Sequence, residues 1–129
     1  MTIGDVSLKY DISQDTLRYY EKIGMIPPVT RNASGIRDYS DEDIRWVQLA
    51  KCMRASGLSI EAMVKYVQMY QEGDETKRAR LELLLEQKQT LLERRQKVDE
   101  ALEWLDRKIV GYEKSMVDGK FPWETDENE

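Results

Sequence analysis

"TIGDVSLKYDISQDTLRYYEKIGMI", residues 2–26, decides the fold. Thr2 and Asp5 form a capping-box pair that opens a short helix running to about Lys9, with Ile3, Val6 and Leu8 as its apolar positions. "DIS" makes a tight connection, and Ser13 is an N-cap for a second helix that runs through Lys22 and ends at Gly24. Two short helices joined by a few residues are the sequence image of a helix-turn-helix. On the second helix Leu17 faces inward, which leaves Arg18, Tyr19 and Lys22 to project elsewhere.

Downstream, Pro27-Pro28 forces extended backbone. "VTRNASGIRDY" then reads as a two-stranded hairpin, or wing, turning at Asn32, Ser34 and Gly35. Ser40 to Asp43 carries the capping signature of a third helix, with acids at its positive end. Ile44, Trp46, Val47, Leu49, Ala50 and Met53 give that helix a wide apolar face, and Gly57 closes it. Ser59 caps a fourth helix bearing Met63, Tyr66, Val67 and Tyr70.

Gly73-Asp74 breaks the chain again, and its character changes. From 74 to about 110 the single run lacks Pro and Gly, consistent with an unbroken helix on the order of 55 Å at ~1.5 Å per residue. One seven-residue series is Leu84, Leu91, Val98, Leu105 and Tyr112; its companion is Leu81, Lys88, Arg95, Leu102 and Ile109. Such a seam needs a partner helix, and the expected one is the same helix of a second subunit. Lys88 and Arg95 either fix register against Glu86, Glu93, Asp99 and Glu100 or snorkel at the seam edge. The residues leave parallel and antiparallel pairing open; the expectation carried forward is antiparallel. The chain thus divides into a winged helix-turn-helix DNA-binding domain (1–73), a coiled-coil dimerisation helix (74–112) and a short C-terminal tail (113–129), a mainly α architecture.

Composition narrows the chemistry. The 129 residues contain no His and one Cys, so a thiolate or imidazole metal cage within one chain is excluded and no metal or other cofactor is expected. The same lack removes the usual general base and the nucleophile–base pair, which argues against an enzyme and leaves no catalytic residues to name. The lone Cys52 cannot form an intramolecular disulfide, which suits a reducing cytoplasm. Neither a membrane-spanning run nor a signal-peptide core is present, so no membrane partner is expected. The net charge of −5 looks wrong for nucleic acid, but residues 1–70 balance nine basic against nine acidic residues. Within 16–37, Arg18, Lys22, Arg31 and Arg37 face a single acid, Glu21.

A helix-turn-helix lays its second helix in a major groove. Thr16, Arg18, Tyr19 and Tyr20 lie on that helix, with Lys22 and Arg18 placed for phosphates and Arg31 and Arg37 placed in the wing to clamp the backbone. Two such units in a dimer supply the interface that one cannot. The bland alternatives are a non-DNA helical domain, a core role for Tyr20, and a coiled-coil scaffold or helical hairpin. A scaffold leaves the arginine–tyrosine cluster without a purpose.

The ordered pieces "TIGDVSLKYDISQDTLRYYEKIGMI", "RNASGIRDYSDEDI" and "MRASGLSIEAM", followed by a long helix, resemble the MerR family of bacterial transcription regulators. "TLRYYEKIGMI" and R-x-Y-x-x-x-D (Arg37, Tyr39, Asp43) carry the resemblance, which covers about residues 2–112. It implies a homodimer on double-stranded DNA, at an inverted repeat inside a promoter whose spacer is too long. Bending and untwisting that DNA would present both promoter elements to RNA polymerase. It also implies groove contacts from Thr16, Arg18 and Tyr19, with Tyr20 partly packing and Arg31, Arg37 and Tyr39 serving the wing. The metal-sensing branch carries cysteines where 74–80 and 111–120 here have none, and the multidrug branch carries a large extra domain. The chain instead resembles the thiol-based branch that answers aldehydes and other electrophiles, with Cys52 as the sensor. Read from its neighbours alone (Gln48, Leu49, Ala55 and Ser56, with no cation on the same face to activate the thiol), Cys52 is more simply a small buried hydrophobe, the common state of a free cysteine. The other effector reading is a small apolar ligand held by Trp104, Tyr112, Phe121 and Trp123, a cluster that plain packing also explains.

Overall fold

Side-chain caps set the helix boundaries. In the computed structural model, which describes residues 1–119, Thr2 and Asp5 close a capping box at the start of α1 (Ile3–Tyr10). Asp11 ends α1 in the left-handed region at φ 52°, a conformation that Asp tolerates better than most residues. Ser13 Oγ accepts the Thr16 N–H at 3.0 Å to start α2 (Gln14–Ile23), and Gly24 ends it at φ 82°. Ser40 and Asp43 form a second capping box for α3 (Asp41–Ala55), and Ser59 Oγ accepts from Ala62 at the start of α4 (Ile60–Glu72). The four N-caps are those that the sequence names, and replacing one by Ala costs about 1 kcal/mol.

The helices of the first compact unit, Met1–Lys88, enclose one core. Val6 comes from α1, Leu17 and Tyr20 from α2, Met25, Ile26 and Val29 from the proline-stiffened link, Ile44, Val47 and Ala50 from α3, and Met63 from α4. Leu17, Met25, Ile26, Val6, Val47 and Val67 are almost wholly withdrawn from solvent, each stabilising the unit by about 1.5–3 kcal/mol. Leu8, expected as an apolar position of α1, is instead 88 % exposed.

The wing is smaller than the expected pair of strands. Its ladder contracts to a single antiparallel bridge between Arg31 and Arg37, with Asn32 N–H on Ile36 O and Asp38 N–H on Thr30 O. Acceptors outside the wing take the donors that would have extended it. Val29 N–H goes to Glu21, Thr30 N–H to Asp43, and Tyr39 N–H to the Met1 carbonyl. Asn32 Oδ1 accepts from both Ser34 and Ile36, and Gly35 at φ 80° completes the turn.

After a 3₁₀ turn at Asp74–Thr76, α5 runs Lys77–Asp118. The boundary expected at 112 is corrected: one glycine, Gly111, costs a helix only about 1 kcal/mol, and the break comes at Gly119, at φ 78°. From Gln89 onward the chain is a second compact unit. There Val98, Leu102, Leu105 and Ile109 are each more than half exposed. Phe121 and Trp123, and with them the aromatic ligand site, lie outside the described residues; Trp104 and Tyr112 are about half exposed.

Candidate nucleic-acid interface

At ~100° per residue, α2 separates two faces. Leu17 and Tyr20 turn into the core with Glu21 at its edge, while Asp15, Arg18, Tyr19 and Lys22 form one exposed stripe. The Arg18 guanidinium donates to Asp15 Oδ1 at 3.2 Å and Gln14 Oε1 at 3.3 Å, contacts within its own helix. A solvent-exposed pair of this kind is worth at most about 1 kcal/mol, so it positions Arg18 without committing it. Tyr19 is 48 % exposed. Thr16 is half-buried at the first turn, where its Oγ1 accepts from Ser13 Oγ at 2.7 Å.

Two of the expected contact residues are core residues. Tyr20 lies in the core, where burial pushes its phenol up against the opposing pull of Arg54. Tyr39 is 2 % exposed and seats the wing on the core. Burial also raises its phenol; Arg37 and Arg18 oppose the rise, while Glu21 and Asp43 add to it. The hydroxyl is therefore neutral, and it has no hydrogen-bond partner among the described residues.

The wing arginines are drawn inward. Arg37 Nε donates to Glu21 Oε1 at 2.7 Å, and an Arg31 terminal nitrogen lies 3.8 Å from Glu21 Oε2. Arg31 also donates to the Gly35 carbonyl at 3.1 Å. Glu21 is thus the junction of α2 and the wing, a role the sequence shows only as the lone acid of a basic stretch. Asp43 is a second junction. Burial raises its pKa, yet the hydrogen bonds from Ser40 and Thr30 outweigh burial and hold the carboxyl below its ordinary value.

Cys52 lies on α3 with its thiol free and exposed, so the buried-hydrophobe alternative does not hold. The residue before it, Lys51, donates to the Tyr10 carbonyl at the end of α1. The residue after it, Met53, lines a small apolar cavity between α3, α4 and the start of α5. At about 20 Å³ that space holds little more than a water. No cluster of potential metal ligands occurs among the described residues, and no described helix is long and apolar enough to cross a membrane.

Residues 1–70 match the model of the MerR HTH family of regulatory proteins. The HTH-type transcriptional regulator AdhR of Bacillus subtilis is 50 % identical over 93 residues, 72 % of this chain and 66 % of that protein. An HTH-type transcriptional regulator of Haemophilus influenzae is 30 % identical over 92 % of this chain and 87 % of its own length. Among solved structures, a MerR-family protein from Listeria monocytogenes aligns with a TM-score of 0.88 at 44 % identity, covering 92 % of this chain and 90 % of that one. HiNmlR, a MerR family regulator lacking the sensor domain and solved bound to promoter DNA, aligns at 0.83 with 29 % identity, covering 92 % and 94 %.

Proposed function

The chain belongs to the MerR family of HTH regulatory proteins, and on that premise we propose that it is a homodimeric, promoter-binding transcription regulator of the cytoplasm. The observation that carries the reading is the exposed stripe of Arg18, Tyr19 and Lys22 on an α2 whose opposite face is locked into the core. Thr16, Arg18 and Tyr19 read the groove; Lys22 and Arg31 meet phosphates; Tyr20 and Tyr39 hold the helix and wing in place. The half-exposed seam of Leu81, Leu84, Val98, Leu102, Leu105 and Ile109, continued by Leu91, supports dimerisation through α5. A dimer sets two readers at fixed spacing on an inverted repeat and can distort the spacer between promoter elements for RNA polymerase.

Cys52 is the proposed sensor. Its Sγ adds to the carbonyl carbon of an aldehyde, and the thiol proton ends on the new hydroxyl of a hemithioacetal. Two observations favour this: the thiol is accessible, and Lys51 ties the same turn of α3 to the end of α1. A gel-shift titration on the inverted repeat upstream of its own gene, against random duplex at two salt concentrations, tests the DNA reading. Equal affinity for both would refute it. Cys52→Ser is expected to abolish aldehyde-induced transcription from that promoter while leaving DNA binding intact; full induction by the variant would remove Cys52 as the sensor.

A further inference from the structure

Glu21 stands where α2 meets the wing, with its side chain 12 % exposed. Both carboxylate oxygens are engaged: Oε1 accepts from Arg37 Nε at 2.7 Å, and Oε2 accepts from Val29 N–H at 2.8 Å with Arg31 3.8 Å away. One charge thus faces two guanidiniums, and one side chain fastens the helix to both limbs of the wing. Arg37 is only 24 % exposed, against 44 % for Arg31 and 47 % for Arg18. Its Nε is already committed to a charge-assisted bond, the strong class of hydrogen bond.

Affinity for arbitrary duplex comes almost wholly from cations on phosphates, whereas a cognate site adds base contacts. A device that withholds a cation from phosphate therefore lowers affinity for any duplex and leaves base contacts a larger share of the binding free energy. We propose that Glu21 is a positioning residue for DNA binding: it fixes the wing against α2 and keeps Arg37 off DNA phosphates, so that the electrostatic share of affinity is held down and the α2 stripe carries a larger part of it. This rests on the DNA-binding reading above.

Glu21→Gln is the direct test. A glutamine keeps one acceptor end for either Val29 N–H or Arg37, and it carries no charge to hold the guanidinium. Affinity for random duplex at low salt is expected to rise severalfold, and its dependence on log salt to steepen by about one for the single phosphate that Arg37 then meets. The preference for the inverted repeat over random duplex is expected to change by less than about twofold, because one added phosphate contact strengthens both complexes by a similar factor. Removing the released cation in Glu21→Gln/Arg37→Gln is expected to return the slope to the wild-type value.

A merely structural role predicts a different pattern: both affinities fall together and the slope stays put. That result, or a Glu21→Gln protein with unchanged slope, overturns the proposal. Should Glu21→Gln lose its helical circular dichroism at the assay temperature, Arg37→Gln alone decides the matter. A slope shallower by about one would mean that Arg37 already meets a phosphate, against the proposal; a slope within half that amount supports it. A wild-type chain with no preference for the repeat overturns the regulator reading and this proposal together. A wild-type preference with an unaltered Glu21→Gln slope overturns the proposal alone.

Discussion

Tyr39→Phe is expected to make the protein more stable. The Tyr39 ring is buried at 2 % exposure, and its hydroxyl is withdrawn from solvent with no partner among the described residues. Burial keeps the phenol protonated, so the fold carries an O–H donor with nothing to receive it. Leaving a buried polar group unpaired costs about 1–3 kcal/mol. Phenylalanine keeps the ring and removes that cost, while an oxygen-sized gap returns part of it through lost dispersion contacts. The net expectation is a gain of about 1 kcal/mol, and thus a rise in Tm of about 4–8 °C for a domain of this size. Thermal and urea unfolding, followed by helical circular dichroism and by fluorescence of Trp46 on α3, measure it at matched protein concentration. A Phe variant less stable than wild type by about 1 kcal/mol or more would refute the reasoning, because it would mean that the hydroxyl is hydrogen-bonded in the native state. Affinity for the repeat, measured on the same samples, then tells what the cost is for. A loss of binding alongside the gain in Tm marks a donor held in reserve for DNA, a trade of stability for function.

Two further outcomes are expected. Asp43 has a lowered pKa in the fold, so the stability it contributes is present above the unfolded carboxyl value near 4 and is lost as pH falls through the folded value beneath it. Asp43→Asn should cost about 1–2 kcal/mol at neutral pH through its weakened bonds to Ser40 and Thr30, and should flatten the loss of stability in acid; urea midpoints across pH measure both. Leu105→Asp places a carboxylate in the proposed seam of both subunits, at about 1.5–3 kcal/mol of lost burial each, and should weaken dimerisation by more than about a hundredfold. Sedimentation equilibrium reads the change, and an unaltered dimer would place the interface elsewhere.

The first four helices were legible because each declares its own start. Thr2/Asp5, Ser13, Ser40/Asp43 and Ser59 are local signals, and the structure uses every one. The stripe on α2 was legible for the same reason, since 3.6-residue periodicity puts Arg18, Tyr19 and Lys22 opposite Leu17. What was not legible depends on contacts between distant residues. Glu21 meets Val29 and Arg37, Asp43 meets Thr30, and Lys51 meets Tyr10 across 41 positions; no local pattern records such pairings. The wing shows the consequence. Its composition favours two strands, yet these long-range acceptors take the donors that a ladder requires, and one bridge remains. Tyr39 was assigned to DNA from its motif, while its burial is a property of the assembled core.

The same pairings explain how a chain with a net charge of −5 can present a cationic face. In residues 1–70 the acids are as numerous as the bases, but many are tied to internal work. Asp5 and Asp43 close capping boxes, and Asp15, Asp41, Glu42 and Glu61 sit in the first turns of helices, where the dipole favours negative charge. Glu42 also accepts from the Tyr70 hydroxyl at 3.0 Å, and Glu21 is held by two donors, Val29 N–H and Arg37 Nε, with Arg31 paired to it at 3.8 Å. The bases are distributed differently: Arg18 and Lys22 stand on the outward stripe of one helix, and Arg31 on the exposed limb of the wing. An approaching polyanion meets the local field of those side chains, because at physiological salt a charge more than ~8 Å away through solvent is largely screened. The acidic surplus of the later residues therefore bears on the proposed pairing along α5 and not on this face. Glu21 is the exception among the acids, since it lies within reach of the cationic face and subtracts from it. Its placement, between α2 and the wing, is what makes one carboxylate able to set how much of the binding is charge and how much is recognition.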